Sequence, residues 1–480
     1  MIAVRPILLT LGILLSALAV MMLLPGALAG VDGSSDWRTF VASAAFTLFV
    51  GGLMIAVGVG VRPGQLRLRE GFLLTTLSWV VVTGFAAVPF TGMGLSYTDA
   101  YFEAMSGLTT TGSTVIVGLD ELPRGILLWR ALLNGIGGLG IVVMAILIMP
   151  YFRIGGMQLF KTESSDTSEK LIPRAIELVS AISVAYLTLT ALCAFVFAEL
   201  GMTYFDAICH AMATVSTGGF STHDSSFGFF ASPSLEIAAT LFMALGAIPF
   251  VLMIKASRGD LAGLWRDEQV RGFVGFLAVI SVFLALWLSA TSDIGFLVAL
   301  RMAAFNVTSV VTTTGFVSTD YNLWGPLAVG MFFLLTFVGG CSGSTSGGIK
   351  IYRLQLTSLV TRAYLLNLIS HHRIASLIYN GRRVPEDVPF AVIAFLALYL
   401  ATVGIVTVVL TAMDLDFVTS LTSAATAIGN VGPGLGEVVG PAGNFSTLPP
   451  GAIWALSFAM LLGRLELFTV LVLFRPEFWR

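Results

Sequence analysis

The chain has 480 residues, of which 56% are hydrophobic and 11% charged, with a net charge of −2 and a mean hydropathy of +0.93. Soluble domains carry about 25% charged residues, so this composition excludes an ordinary soluble protein, and the lack of a basic excess gives no support to a nucleic-acid partner. Cys193, Cys209 and Cys341 lie in apolar or glycine-rich contexts without disulfide or metal spacing and read as buried small residues. His210, His223, His371 and His372 form no metal-ligand motif.

Ten hydrophobic stretches are long enough to span a bilayer, which takes about 20 helical residues. The first two, 6–29 and 39–61, form a leading pair. Arg5, an apolar run and Ala27-Leu28-Ala29 resemble a cleaved secretory signal. That apolar run exceeds the usual 7–15 residues or so, and the next span returns as its partner, so it is read as a membrane helix. The remaining spans are 71–91, 125–150, 174–200, 233–255, 271–291, a broken 324–370, 388–413 and 451–474. Shorter segments lie at 98–109, 203–214, 296–310 and 416–428. Each is worth about 18 Å of helix, too short for a hydrocarbon core of about 30 Å, and reads as a re-entrant half-helix. Asp99 and Asp206, near the starts of the first two, are suited to capping free amides. Asp293 and the pair Asp414 and Asp416 stand at the starts of the others.

The expected fold is an all-α polytopic membrane protein. Four pseudo-symmetric units, each a helix, a pore half-helix and a helix, surround a single central pore, and an N-terminal helix pair precedes them. The expected boundaries are 1–69 for the pair, then 70–152, 153–258, 259–372 and 373–480 for the units.

Each half-helix runs into a short polar stretch: Thr109-Thr110-Thr111-Gly112, Ser216-Thr217-Gly218, Thr312-Thr313-Thr314-Gly315 and Asn430-Val431-Gly432. Polar loops at bilayer depth occur where they line a water-filled path or are buried in protein. Four at a near-constant spacing imply four quarters meeting on one axis, where backbone carbonyls can replace the water shell of a cation. A half-helix directed inward adds the partly negative end of its dipole. Apart from Lys350 and Arg464, 19 Lys and Arg fall on one side of these spans, and Arg38, Arg124, Arg130 and Arg301 fall on the other. The positive-inside rule then puts both termini in the cytoplasm. The four loops lie toward the opposite, acidic side, which holds 15 of the 27 Asp and Glu and would concentrate cations.

Two features lie deeper. Gly339-Gly340-Cys341-Ser342-Gly343-Ser344-Thr345-Ser346-Gly347-Gly348 interrupts the second helix of the third unit. Glycine disfavours helix by about 1 kcal/mol each relative to alanine, so a loop is expected below the four polar stretches, as a mobile gate. Arg464, inside the last span, is expected in the pore near that loop, binding its carbonyls and raising an electrostatic barrier. Lys350, just after the loop, would neutralise helix carbonyls or support the inner mouth.

These residues resemble the Trk/Ktr/HKT superfamily of potassium transporters, its TrkH-type subunits most closely. The segments Ser106–Thr114, Ala213–Thr222, Val311–Thr319, Val338–Lys350 and Gly429–Gly434 carry the resemblance. It implies that Gly112, Gly218, Gly315 and Gly432 are filter glycines, with carbonyls of Thr110, Thr111, Ser216, Thr217, Thr313, Thr314, Asn430 and Val431 lining the K⁺ sites. It makes 339–348 the gating loop and Arg464 the pore arginine. It further implies K⁺ uptake across the bacterial inner membrane by a homodimer. A cytosolic TrkA-type regulatory subunit would carry the nucleotide, and no cofactor would be bound covalently. The fourth stretch departs from the Thr-Thr-Gly pattern, which leaves Gly429 and Gly432 as alternatives there. Two other functions remain open: an ion-coupled secondary transporter of a small solute, a class usually built from two repeats, and a Na⁺-permeable member of the same superfamily. An enzyme would need a nucleophile, base or metal set, and the sequence offers none.

Overall fold

The computed structural model describes residues 3–60, 67–147, 171–370 and 377–480. The boundaries expected at 152 and 372, His371 and His372, much of the basic segment 151–177 and part of 62–70 lie outside them.

Among the described residues, seven helices are long and apolar enough to cross a membrane: Val4–Val31, Trp37–Gly58, Leu68–Thr91, Arg124–Met144, Glu177–Glu199, Glu268–Thr291 and Asp387–Thr411. Two further spans are sharply bent pairs, Pro233–Gly246 with Phe250–Ser257 and Pro450–Arg464 with Phe468–Phe474. The chain is a multi-pass helical membrane protein. The leading pair packs Leu15, Leu18 and Met22 against Phe40 and Ala44, in a core continuous with the first unit.

The four half-helices are Tyr97–Leu108, Tyr204–Val215, Phe296–Val311 and Phe417–Gly429. Their caps differ in detail from expectation. Ser96 and Thr203 are the capping residues, accepting from the amides of Asp99 and Asp206, while those two carboxylates accept from the Ser96 and Thr203 hydroxyls. The shorter hydroxyl side chain sits at the N-cap and the acid one turn in, where both satisfy the helix start. In the fourth half-helix Asp416 itself accepts from the Thr419 amide.

The bends at 246–250 and 464–468 replace two spans expected to be continuous. Pro249 has no N–H to donate, so the helix cannot run through it. The backbone groups released there are taken up by the glycine-rich loop: Cys341 N donates to Ala247 O (2.9 Å), Thr345 N to Gly246 O (3.3 Å) and Phe250 N to Gly343 O (3.1 Å). The first bend is 103°, the second 107°. At the second, Glu466 (φ 61°) and Leu467 (φ 49°) both occupy left-handed backbone. The third unit is interrupted as expected. Pro326–Leu335 ends before a short parallel pairing of Val338–Gly339 with Ile349–Lys350, and Ile351–Ile369 resumes the helix.

Three of the charges assigned to one side or the other by sequence are buried: Arg130 and Glu103 of the acidic side, and Arg353 of the basic side. Arg130 Nε donates to Glu103 Oε1 at 2.8 Å, its Nη1 to Ser221 O at 2.7 Å, and its guanidinium lies 4.2 Å from the Phe220 ring. Glu103 also accepts from Thr114 Oγ1 and Val115 N. The pair ties the first half-helix to the loops leaving the first and second polar stretches. Arg130→Ala is expected to lower stability by about 3–5 kcal/mol, because it strands a buried carboxylate. Thermal unfolding followed by size-exclusion fluorescence checks this, with Arg124→Ala, at an exposed pair, as the mild comparison.

Candidate functional site

The four polar stretches share one backbone conformation. Thr110, Thr217, Thr313 and Asn430 have φ of 51°, 53°, 58° and 54°. For a β-branched threonine this is a strained region, populated at about 1–3 kcal/mol each. The next residue but one is in every case a glycine with positive φ: Gly112 (88°), Gly219 (70°), Gly315 (82°) and Gly432 (111°). The residue between them donates its amide five residues back into the half-helix, from Thr111 to Ser106, Gly218 to Ala213, Thr314 to Ser309 and Val431 to Thr426. Repetition of the same strain and the same bond in four quarters establishes their equivalence.

That equivalence sets the register. In the second stretch the position of Gly112 is held by Gly219, one residue beyond the Gly218 singled out by sequence. Thr217 and Gly218 therefore match Thr110 and Thr111, and Ser216 lies one step earlier. In the fourth stretch Gly432 holds that position and Gly429 is the last helical residue.

The stretches close into a ring of backbone. A Cβ on Gly112 would stand 2.7 Å from Gly218 O, on Gly219 1.8 Å from Thr314 O, on Gly315 2.1 Å from Val431 O, and on Gly432 2.8 Å from Thr111 O. Each glycine is thus overlain by a carbonyl of the next quarter, in the cyclic order one, two, three, four, one. Side chains brace the ring from behind. Asn430 Nδ2 donates to Thr111 Oγ1 (3.0 Å), Ser113 Oγ to Gly432 O (2.8 Å), Asn134 Nδ2 to Gly107 O (3.1 Å) and Ser309 Oγ to Phe316 O (2.7 Å). On the mouth side lies a cavity of about 70 Å³ lined by all four ring glycines together with Arg130, His223 and Asp224. Among the described residues no cluster of three or more His, Cys, Asp or Glu side chains is arranged to hold a metal.

The loop 339–348 lies directly beneath the ring. Thr345 Oγ1 donates to Val215 O (3.0 Å), the last carbonyl of the second half-helix, and Gly347 N donates to Thr313 Oγ1 (2.6 Å) in the third stretch. A Cβ on Gly347 would meet Gly429 O, at the end of the fourth half-helix, at 2.6 Å. Ser346 Oγ accepts from Gly340 N (2.8 Å), folding the loop upon itself, and Lys350 Nζ donates to Ser346 O.

Below the loop, Gly347, Gly348, Lys350, Arg464 and Glu466 line a cavity of about 20 Å³, room for about one water. Arg464 is 3% exposed, and among the described residues all three of its guanidinium nitrogens lack a hydrogen-bond partner. It stands next to the loop as expected but does not bind the loop's carbonyls. Its sequence neighbour Glu466 is engaged elsewhere, accepting from Arg353. That pairing was not legible in the sequence; the signal for it was only that two ionisable residues fall inside apolar helices.

The sequence profile of the TrkH family, described as cation transport protein, matches residues 39–480. The chain belongs to the TrkH family. It is 44% identical over 478 residues to the Trk system potassium uptake protein TrkI of Halomonas elongata, covering 99% of this chain and 97% of that one. It is 36% identical to the Trk system potassium uptake protein TrkH of Escherichia coli, with 98% of each covered. A crystal structure of the potassium transporter TrkH from Vibrio parahaemolyticus superimposes with a TM-score of 0.92 at 34% identity, covering all of both chains. TrkH-family proteins are transporters, so membership makes this chain a transporter and not an enzyme.

Two outcomes are expected of this TrkH-family chain. Gly315→Ser and Gly219→Ser both push a side chain into a neighbouring carbonyl, so each should weaken discrimination between K⁺ and Na⁺ while the protein still inserts. Cation-competition flux in proteoliposomes checks this, and unchanged selectivity in both variants would sink the ring as the selective element. The second outcome concerns His223, whose Nδ1 bonds Asp120, whose Nε2 lies 3.6 Å from Asp206 and whose ring stacks on Phe229 at 3.5 Å. Burial disfavours its charged form, but the Asp206 and Asp120 carboxylates outweigh burial and raise its pKa above the ordinary 6.5. The link it makes between the loops of units one and two is therefore complete below about pH 6.5 and is lost as pH rises through the higher folded value. Melting temperature should fall as pH rises above about 6.5, and His223→Gln should flatten that dependence.

Proposed function

We propose that this chain is the ion-translocating subunit of a potassium uptake system in the bacterial inner membrane. The observation that carries the proposal is the closed ring of four strained stretches, each presenting a carbonyl over the next quarter's glycine. Carbonyls of Thr110, Thr111, Thr217, Gly218, Thr313, Thr314, Asn430 and Val431, with the C-terminal ends of four half-helices, give a desolvated monovalent cation oxygen ligands without a fixed carboxylate. The names of the relatives, potassium uptake proteins throughout the best matches, support K⁺ as the cargo.

In this reading the loop 339–348 is the gate. It fills the space under the ring, and its glycines allow it to reshape. Arg464 adds a positive charge beside the gate, which raises the energy of a passing cation. Both termini are cytoplasmic by the distribution of Lys and Arg, and the acidic side faces outward. The protein works as a homodimer together with a cytosolic TrkA-type regulatory subunit, which binds the nucleotide. The Trk system names of the relatives fit a subunit of a larger assembly.

The direct test is ⁸⁶Rb⁺ uptake into proteoliposomes with and without an imposed proton gradient. Uptake competed by K⁺ more strongly than by Na⁺ is expected. Uptake only in the presence of some organic solute would instead identify a solute carrier. Arg464→Ala should raise flux per folded molecule, by about tenfold if the charge contributes about 1.4 kcal/mol of barrier. Arg464→Lys keeps the charge without the planar fork and should be intermediate. A flux order of wild type above Lys above Ala would refute the barrier.

A further inference from the structure

On the face opposite the ring's mouth, a two-stranded hairpin, Ile378–Tyr379 paired with Arg382–Arg383, stands between the third and fourth units. Its turn residues Asn380 (φ 50°) and Gly381 (φ 71°) are both left-handed, the conformation that an Asn-Gly hairpin turn demands. One side of the hairpin is open, with Ile378 54% exposed. The other side is bonded to the start of the helix Glu268–Thr291. Asn380 Oδ1 accepts from Glu268 N (2.7 Å), and Asn380 Nδ2 donates to Asp267 Oδ2 (2.9 Å). Asp267 Oδ1 in turn accepts from the amides of Gln269 (2.9 Å) and Val270 (3.2 Å).

The same helix start is gripped from a second direction. Tyr379 Oη donates to Gln355 Oε1 (2.7 Å), and Gln355 Nε2 donates to Glu268 O (2.8 Å). Gln355 crosses so close that a Cβ on Gly272 would meet its nitrogen at 2.1 Å. From this doubly held turn one side chain points inward. Gln269, 2% exposed, accepts from the backbone amide of Ser342 at 2.8 Å, inside the glycine-rich loop. An unbroken series of hydrogen bonds therefore runs from a surface hairpin to the loop beneath the ring, through Asn380, Asp267 and Gln269.

We propose that the hairpin 378–383 is a handle on the intramembrane loop, with Asn380, Asp267 and Gln269 as positioning residues that hold Ser342. The proposal rests on the reading of 339–348 as the gate. Displacing or loosening the hairpin releases the turn at 267–269, which releases the Ser342 amide and frees the loop. A buried amide that loses its acceptor is destabilised in place, so the loop's held arrangement becomes less populated. The arrangement also gives a role to Gln269, a polar side chain buried at the start of a membrane helix.

Cys341 is a native reporter of the loop, since it adjoins Ser342 and is fully buried. The experiment uses the full chain in proteoliposomes. Maleimide modification of Cys341 is quantified by peptide mass mapping, and ⁸⁶Rb⁺ flux is measured on the same samples. Three variants are compared with wild type. Gln269→Ala removes the bond to the loop. Asn380→Asp keeps the turn conformation but sets a carboxylate against Asp267. Asn380→Gly keeps positive φ and removes the side chain, and so covers a failure of the Asp variant to fold. Asp260→Ala, which removes a helix cap at an exposed turn on the same face, serves as control.

The expected result is about a five-fold rise in Cys341 modification for Gln269→Ala and for the Asn380 variants alike, the equilibrium equivalent of about 1 kcal/mol, with flux rising in parallel and the control unchanged. A rise for Gln269→Ala with both Asn380 variants at the control level would overturn the relay. Unchanged modification in every variant would overturn it too. Raised modification with unchanged flux would leave the relay standing and refute the gate reading on which it rests.

Discussion

A backbone carbonyl or amide inside a bilayer has no water to bond, and most of this molecule's departures from plain helix follow from how that constraint is met. Each break in one element is satisfied by a break in another. The carbonyls and amide released between Gly246 and Phe250 are taken by the loop at 341–345. The last carbonyl of the second half-helix is taken by Thr345, and the amide of Gly347 by the side chain of Thr313. The irregular segments thus form one mutually bonded body on the axis, sheathed by regular helices that need no help. A loop so thoroughly bonded keeps a definite shape despite its five glycines, and it can change shape only by exchanging those bonds for others.

The ring itself illustrates a second balance. Left-handed threonines are unfavourable singly, and four strained positions would not persist unless the surroundings over-determined them. The surroundings do so through the half-helix bonds to Ser106, Ala213, Ser309 and Thr426 and through the close seating of each glycine under the next quarter's carbonyl. Where the sequence diverges most, at Asn430-Val431, asparagine tolerates the left-handed region better than threonine, and its amide braces Thr111 across the ring. The loss of the Thr-Thr-Gly pattern in the fourth quarter therefore leaves the geometry intact.

Much of this was legible in the residues. Half-helices ending in Thr/Gly stretches are local signals, and their ends fall within about two residues of the expected positions, the usual slack of helix boundaries. The small-residue run 339–348 announced its own loop. What stayed hidden depends on partners far apart in the chain. Ser216-Thr217-Gly218-Gly219 offers two glycines, and only the five-residue bond from Gly218 to Ala213 shows that the second one faces the ring. The bend at Pro249 is a local signal whose consequence, a socket for the loop, is not. Arg353 and Glu466 lie 113 residues apart, and counting charges by side does not show that the two meet. Arg464 shows the converse. Its place beside the loop was legible, but among the described residues the bonds expected there are not made.

The ring is assembled from a single chain, and that has a bearing on its synthesis. Ser113 bonds the carbonyl of Gly432 from 319 residues away. At ribosomal speeds of about 5–20 residues per second, roughly 15–60 s separate the emergence of the first strained stretch from that of its fourth neighbour. For that interval the opening quarter sits in the membrane with its polar backbone facing an unfilled position. The buried Arg130–Glu103 pair, joined to the first half-helix, and the leading helix pair, packed on the long helices of the first unit, are the elements on hand to shelter it while the rest of the chain is being made.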